Sequence, residues 1–318
     1  MASSNSSSNT ASKPADLRIG ILGLDTSHVI AFTQALNKPA SPEQHVPGGK
    51  VVAALKSWSP DVEASYSRVE GYTKQMTEEF GVKMYATAEE VAANVDAIMI
   101  ENVDGRPHLE LARKVFPFGK PVFIDKPLAG SLRDALEIAR LGKQYNTPWF
   151  TSSSLRYGPN IPEIMSGKLG ALRCVVAQSP AGLEPHHPDL FWYAIHAVEP
   201  LITVLGCGCQ TVVRTHTAET DIVTGVWSDG RVGVVCGIRN AEPTFHIKAY
   251  GTKGTAESNG YIYGALLKEI IKFFQTKEVP VPQAQSLEII AFMEAADESK
   301  RRGGVPVSLA EVIKANGG

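Results

Sequence analysis

The chain has 318 residues, of which 20% are charged and 43% hydrophobic, and a formal net charge of −2. That length predicts two domains, each large enough to bury its own core. The charge balance lacks the basic excess of a nucleic-acid-binding protein, and no apolar run reaches the length of a membrane span.

Residues 1–16 are rich in serine and asparagine and lack the apolar segment of a secretory signal, so a disordered tail on a cytoplasmic protein is expected. Residues 17–22 form a short apolar run closed by glycine, the pattern of a buried parallel strand. A helix through Ile30, Phe32 and Leu36 follows, with Asp25, Thr26 or Ser27 as its cap. Strand patterns at 50–55, 83–85, 96–100 and 121–124 then alternate with helical ones at 72–80, 88–95 and 109–116. This alternation predicts a doubly wound parallel sheet, a Rossmann domain spanning 17–125. Its ligand should sit beyond the carboxyl ends of the strands, at the switch in strand order. Lys56, Glu101, Asn102 and Asp125 stand at those ends, with His108 just beyond.

Residues 126–318 read differently. A helix at 132–145 and a strand at 148–152 lead into β-rich segments at 171–178, 210–216, 221–227, 231–238 and 244–250. Asp229-Gly230 marks a hairpin, because the pair suits the positive φ of a tight turn. Consecutive strands without helices between them predict an α+β domain with a large, mostly antiparallel sheet. Helices at 191–205, 266–276 and 286–300 are too few to cover both faces of that sheet, so a homo-oligomer (dimer or tetramer) packed through it is expected. Cys174, Cys207, Cys209 and Cys236 form no paired metal pattern and are expected to be reduced.

The turn Gly20-Ile21-Leu22-Gly23-Leu24-Asp25-Thr26-Ser27-His28 stands where a dinucleotide-binding fold keeps Gly-x-Gly-x-x-Gly. With Gly23 as the first glycine, Asp25 replaces the second and His28 the third. A carboxylate beside a pyrophosphate is unfavourable: unit charges ~4 Å apart repel by about 1–4 kcal/mol. The helix dipole returns only about 0.3–1 kcal/mol to an anion. Either Asp25 caps the helix in place of a phosphate, or Asp25 and His28 face the cavity and touch ligand.

Gly119-Lys120-Pro121-Val122-Phe123-Ile124-Asp125-Lys126-Pro127 resembles the Gly-Lys-x-Val-x-x-Glu-Lys-Pro segment of the Gfo/Idh/MocA oxidoreductases, with Asp125 for the usual Glu. Pro107-His108-Leu109-Glu110, Ser154-Leu155-Arg156-Tyr157-Gly158-Pro159 and Ile195-His196-Ala197-Val198-Glu199 are similar, in order, to further segments of that family. The resemblance runs from about residue 17 to the C-terminus. It implies NAD or NADP as cofactor, held by Gly23, Asp25, Thr26, Ser27, His28, Lys56, Glu101, Asn102, His108, Asp125 and Lys126. It also implies a sugar, sugar acid or cyclitol as substrate. In the family the lysine stabilises an oxyanion and the helix histidine takes a hydroxyl proton, which puts those roles on Lys126 and His196. Arg156, Tyr193 and His187 are the expected substrate contacts.

Three departures accompany the resemblance: the turn at Asp25 and His28, Lys56 where an acid would meet a ribose, and Trp192 where many members carry an Asp. They leave room for a sugar-derivative lyase or hydrolase on the same fold, or for a non-catalytic sugar-binding protein. Pro200, four residues after His196, denies that residue's carbonyl its helical donor and should kink the helix. Glu184-Pro185-His186-His187-Pro188-Asp189 offers metal-ligand types, but the spacing matches no established pattern and no metal is expected.

Overall fold

The computed structural model describes residues 16–318, so the expected tail lies almost wholly outside the described residues. The first half builds β1 (Leu17–Leu22), α1 (Ser27–Asn37), β2 (Gly49–Leu55), α2 (Glu63–Glu78), β3 (Lys83–Tyr85), α3 (Ala88–Ala93) and β4 (Ala97–Ile100). α4 (His108–Val115), β5 (Val122–Ile124), α5 (Leu132–Gln144) and β6 (Trp149–Thr151) complete it. The strands form one parallel sheet in the order β3-β2-β1-β4-β5-β6, so strand order reverses between β1 and β4. Every residue of β4 and β5 is buried. This is why they read as unbroken apolar runs: helices cover both faces of such a sheet.

The second half adds α6 (Ile161–Met165), β7 (Leu172–Pro180), α7 (Asp189–Trp192), α8 (Ile195–Leu205), β8 (Cys209–His216) and β9 (Thr220–Trp227). β10 (Val232–Ile238), β11 (His246–Gly251), β12 (Gly254–Asn259), α9 (Tyr263–Thr276), α10 (Gln283–Arg301), β13 (Val307–Ser308) and α11 (Leu309–Ala315) follow. Its strands form a second sheet, β12-β11-β7-β10-β9-β8-β13, antiparallel throughout except for the β7–β10 pair.

One face of this second sheet (Val175, Ala177, Val212, Val223, Val235) is sealed in the core shared with Ile195, Leu201 and Phe292 of α8 and α10. The opposite face presents Val176, Val232 and Val234, with Ile222, Val226 and Tyr250 substantially exposed. That alternation is the period-2 signature of a half-covered strand.

The first sheet extends past the expected boundary at Asp125, because β6 pairs with β5 from Trp149 to Thr151. The end of the chain also returns to it. Leu266, Ile270 and Phe273 of α9 share a core with Phe123 and Phe150, and the Phe150 and Phe273 ring centroids lie 4.9 Å apart. The single helix expected at 191–205 is two pieces, α7 and α8, with Tyr193 and Ala194 between them. The four cysteines are free, and among the described residues no helix is long and apolar enough to cross a membrane.

Candidate active site

A cavity of about 320 Å³ opens where β1, β4 and β5 end, facing the second domain. Thr26, Ser27 and His28 enter it from the start of α1, Arg68 from α2, and Lys126 from the loop after β5. Trp192, Tyr193 and His196 come from the α7–α8 region, and Phe245, Tyr261 and Tyr263 close the wall. Among the described residues, no aspartate or glutamate lines it.

The glycine turn explains that absence. Gly23 has φ +92°, and a Cβ there would meet Asn102 Oδ1 at 2.5 Å, so only glycine suits the position. Asp25 is fully buried and points beneath the turn. It accepts hydrogen bonds from Ser65 Oγ (2.6 Å) and the Val103 amide (3.1 Å). The helix cap is Thr26, whose Oγ1 accepts from the His28 amide at 3.5 Å. Asp25 therefore neither caps α1 nor faces the cavity, and the alternative in which it touches ligand is corrected. Burial raises its carboxyl to about 6 against these hydrogen bonds.

His28 does face the cavity, held from behind: its Nδ1 lies 2.7 Å from Asp125 Oδ2. Burial alone would raise Asp125, but His28, through its charge when protonated and its hydrogen bond, and Lys126 beyond it, bring it below the usual carboxylate range. Glu101 lies alongside with both carboxylate oxygens buried and unpartnered. Burial, and then the Asp125 charge, push it well above the ordinary value. Lys126 is 7% exposed and makes no ion pair among the described residues.

His196 stands at the first turn of α8, with Nδ1 3.2 Å from Ser153 Oγ and the Tyr193 and Phe245 rings edge-on at 4.9 and 5.7 Å. Burial, then the Lys126 and His28 charges, hold it well below the usual histidine range, so it is neutral at pH 7.

Seven residues singled out from the sequence thus share one cavity: Thr26, Ser27, His28, Lys126, Trp192, Tyr193 and His196. Gly23, Asp25, Glu101, Asn102 and Asp125 form the layer beneath it. The remaining four are engaged elsewhere. Lys56 pairs with Glu70 and lies 5.2 Å over the Trp58 ring. His108 is buried between the Asn102 and Leu128 carbonyls, at 3.0 and 3.3 Å. Arg156 turns from the cavity to Glu199 (3.0 Å) and Gln285 (2.7 Å).

His187 runs inward to the Gly105 amide (3.4 Å) and Asp104, whereas His186 meets Glu184 at the surface. The two adjacent histidines therefore diverge. Arg68, Tyr261 and Tyr263 were missed from the sequence; no motif surrounds them, and only the fold carries them to the turn. The three ligand types that do converge are His28, Glu101 and Asp125, whose donor atoms lie within 4.8 Å of one another.

Three observations fit a nicotinamide nucleotide to this crevice. It lies at the β1–β4 switch, the first turn of α1 opens onto it, and Asp25 is withdrawn under the turn. Thr26 and Ser27 would hold its phosphates, with Arg68 as the nearby cation.

Residues 17–151 match the family model described as an oxidoreductase family with an NAD-binding Rossmann fold, the Gfo/Idh/MocA family. Among solved structures, a probable dehydrogenase from Thermotoga maritima is 20% identical, with a TM-score of 0.76 over 93% of this chain and 100% of that one. Myo-inositol dehydrogenase from Lactobacillus casei, in complex with NAD(H) and myo-inositol, is 18% identical, with a TM-score of 0.74 over 92% and 97% of the two chains. A third likeness is a myo-inositol dehydrogenase of Sinorhizobium meliloti 1021 described as putative, 15% identical with a TM-score of 0.73 over 92% and 99%. At these identities the likenesses show a shared fold. No curated protein matches the chain.

Proposed function

We propose that this chain, whose residues 17–151 match the Gfo/Idh/MocA oxidoreductase family model, is an NAD- or NADP-dependent dehydrogenase of a sugar, sugar acid or cyclitol. The observation that carries the reading is the meeting of Lys126 and His196 in one cavity, at the switch point and against the first turn of α1. When bound, the nicotinamide supplies a hydride acceptor. The protein's own work is to seat the substrate hydroxyl and manage its proton.

Lys126, only 7% exposed, places an unpaired ammonium where an alkoxide would form, so its attraction to developing negative charge is strong. His196, neutral at pH 7, can accept a hydrogen bond from the substrate hydroxyl. Its Ser153 contact and the flanking Tyr193 and Phe245 rings fix the imidazole plane. Trp192 and the tyrosines give apolar faces against which a sugar or cyclitol ring can lie.

The test is to titrate the protein with NADH and NADPH by nicotinamide fluorescence. Reduction of NAD⁺ and NADP⁺ is then followed against a panel of inositols, aldoses and aldonic acids. Binding of one nucleotide and turnover with one substrate class is expected. Failure of both nucleotides to bind overturns the reading.

A further inference from the structure

The hydrogen bonds at His28 make the two ends of its imidazole unequal. Nδ1 is tied to Asp125 at 2.7 Å, with the Asp125 side chain wholly buried and that of His28 8% exposed. The other Asp125 oxygen accepts the Lys126 amide at 2.8 Å, so both are committed. Nε2 has no hydrogen-bond partner among the described residues, and the ring lines the cavity. Phe32 stacks on the ring at 5.2 Å between centroids, and Tyr263 meets it edge-on at 5.1 Å. A histidine with one nitrogen anchored on a buried carboxylate, its plane clamped, and the other nitrogen open to a site has the construction of a general base.

We propose that His28 and Asp125 form a carboxylate-backed acid–base dyad, with His28 Nε2 as the atom that takes and returns a substrate proton. This rests on the reading of the cavity as a substrate site and not on the class of reaction. In the step, the O–H bond of a substrate hydroxyl breaks, its proton goes to Nε2, and the electron pair stays on the oxygen. Nδ1 keeps its proton toward Asp125, which remains ionised and faces the new imidazolium. Lys126 lines the same cavity and meets the alkoxide.

The second imidazole is built differently. His196 has a serine hydroxyl behind it where His28 has a carboxylate, and it shares the cavity with the Lys126 ammonium. Charging His196 would add an uncompensated cation; charging His28 completes an ion pair. His196 therefore orients the hydroxyl while His28 carries the proton. The groups facing His28 are Asp125, Glu101, Lys126, His196 and Tyr263.

The competing occupant of this corner is a divalent cation held by His28, Glu101 and Asp125. The test uses the full chain with ¹⁵N-labelled histidine, followed by NMR across pH, together with metal analysis of the same sample. In its neutral form, His28 is expected to carry its proton on Nδ1. In Asp125→Asn that preference should be lost, and carbethoxylation of His28 by diethyl pyrocarbonate, read by mass spectrometry, should slow about tenfold or more. An unprotonated Nδ1 in the wild type overturns the dyad without any variant. Equal modification rates in the two proteins, or a stoichiometric cation that protects His28, overturn it as well. Nucleotide binding is measured separately, so loss of the dehydrogenase reading leaves the tautomer result standing.

Discussion

Ser65 Oγ donates a 2.6 Å hydrogen bond to Asp25 Oδ2, joining the first turn of α2 to the β1–α1 turn. With the Val103 amide on the other oxygen, Asp25 becomes a buried tie between three elements at the floor of the cavity. The charge that would repel a phosphate is directed into the protein, and the crevice at the end of β1 is kept clear of it without the second glycine.

The stability of this tie should depend on pH with a definite sign. The folded-state carboxyl of Asp25 is raised from 3.8 to about 6 by burial, so the fold prefers its protonated form. Stability from this group is greatest below about 4 and falls as pH rises through about 6, by about 3 kcal/mol at most. Asp25→Asn should flatten that fall. Urea unfolding at pH 4 and pH 7 should show the wild type losing ground to the variant at pH 7; parallel behaviour would refute the assignment.

Lys126 and His196 should be coupled. Replacing Lys126 with Gln removes a cation that depresses His196, so the His196 titration should move up toward its ordinary value in the variant. Histidine NMR reads this without a substrate. Once a substrate is known, the same variant should lose about 10²–10³-fold in kcat while nicotinamide affinity changes little. An unmoved His196 signal would mean that the two groups do not share one environment.

The open face of the second sheet should be an interface with a second copy of the chain. Val226 opposes Val232 and Val234 opposes Val176 on that side, while Ile222 and Val226 are 37% and 41% exposed. A contiguous apolar patch of this kind is rarely left in water. Sedimentation is expected to find a dimer or tetramer, and Ile222→Glu with Val226→Glu should yield monomer of native circular dichroism. A wild-type monomer at micromolar concentration would exclude the interface.

Arg214 should be among the most sensitive positions for stability. It is 1% exposed and donates to Asp221 (2.7 Å), Asp189 (3.1 Å) and Asp297. Arg214→Met leaves Asp297 without its ion-pair partner, while Asp221 keeps Arg239 and Asp189 keeps Lys300; a broken buried pair costs about 3–5 kcal/mol. The loss should shrink in acid, where those carboxylates accept protons; urea midpoints at pH 5 and pH 8 measure it. A variant within 1 kcal/mol of wild type, roughly the worth of a surface pair, would show that the network is not a stabilising one.

Local pattern determined much of this protein. Unbroken apolar runs marked the parallel strands, a succession of β-rich segments marked β7 to β11, and Asp125-Lys126-Pro127 and His196 were visible as segments before any fold was built. Such features are legible because they depend on neighbours within a few residues, whose spacing decides which face of an element is apolar. The boundary at 125 and the single helix at 191–205 were less legible. A short strand such as β6 and a break such as Tyr193–Ala194 are decided by packing against distant parts of the chain.

Only the tertiary structure decided which way the functional side chains point. Asp25 looked like a charge in the phosphate site and is a buried tie, because its partners stand 40 and 78 residues away. Arg156 looked like a substrate contact and is committed to Glu199 and Gln285, 43 and 129 residues away. His28 resembled a flaw in a glycine motif and is backed by Asp125 from 97 residues away. Sequence periodicity places a residue on an element. The direction of a buried polar group is set by the partner that satisfies it, and the fold supplies that partner.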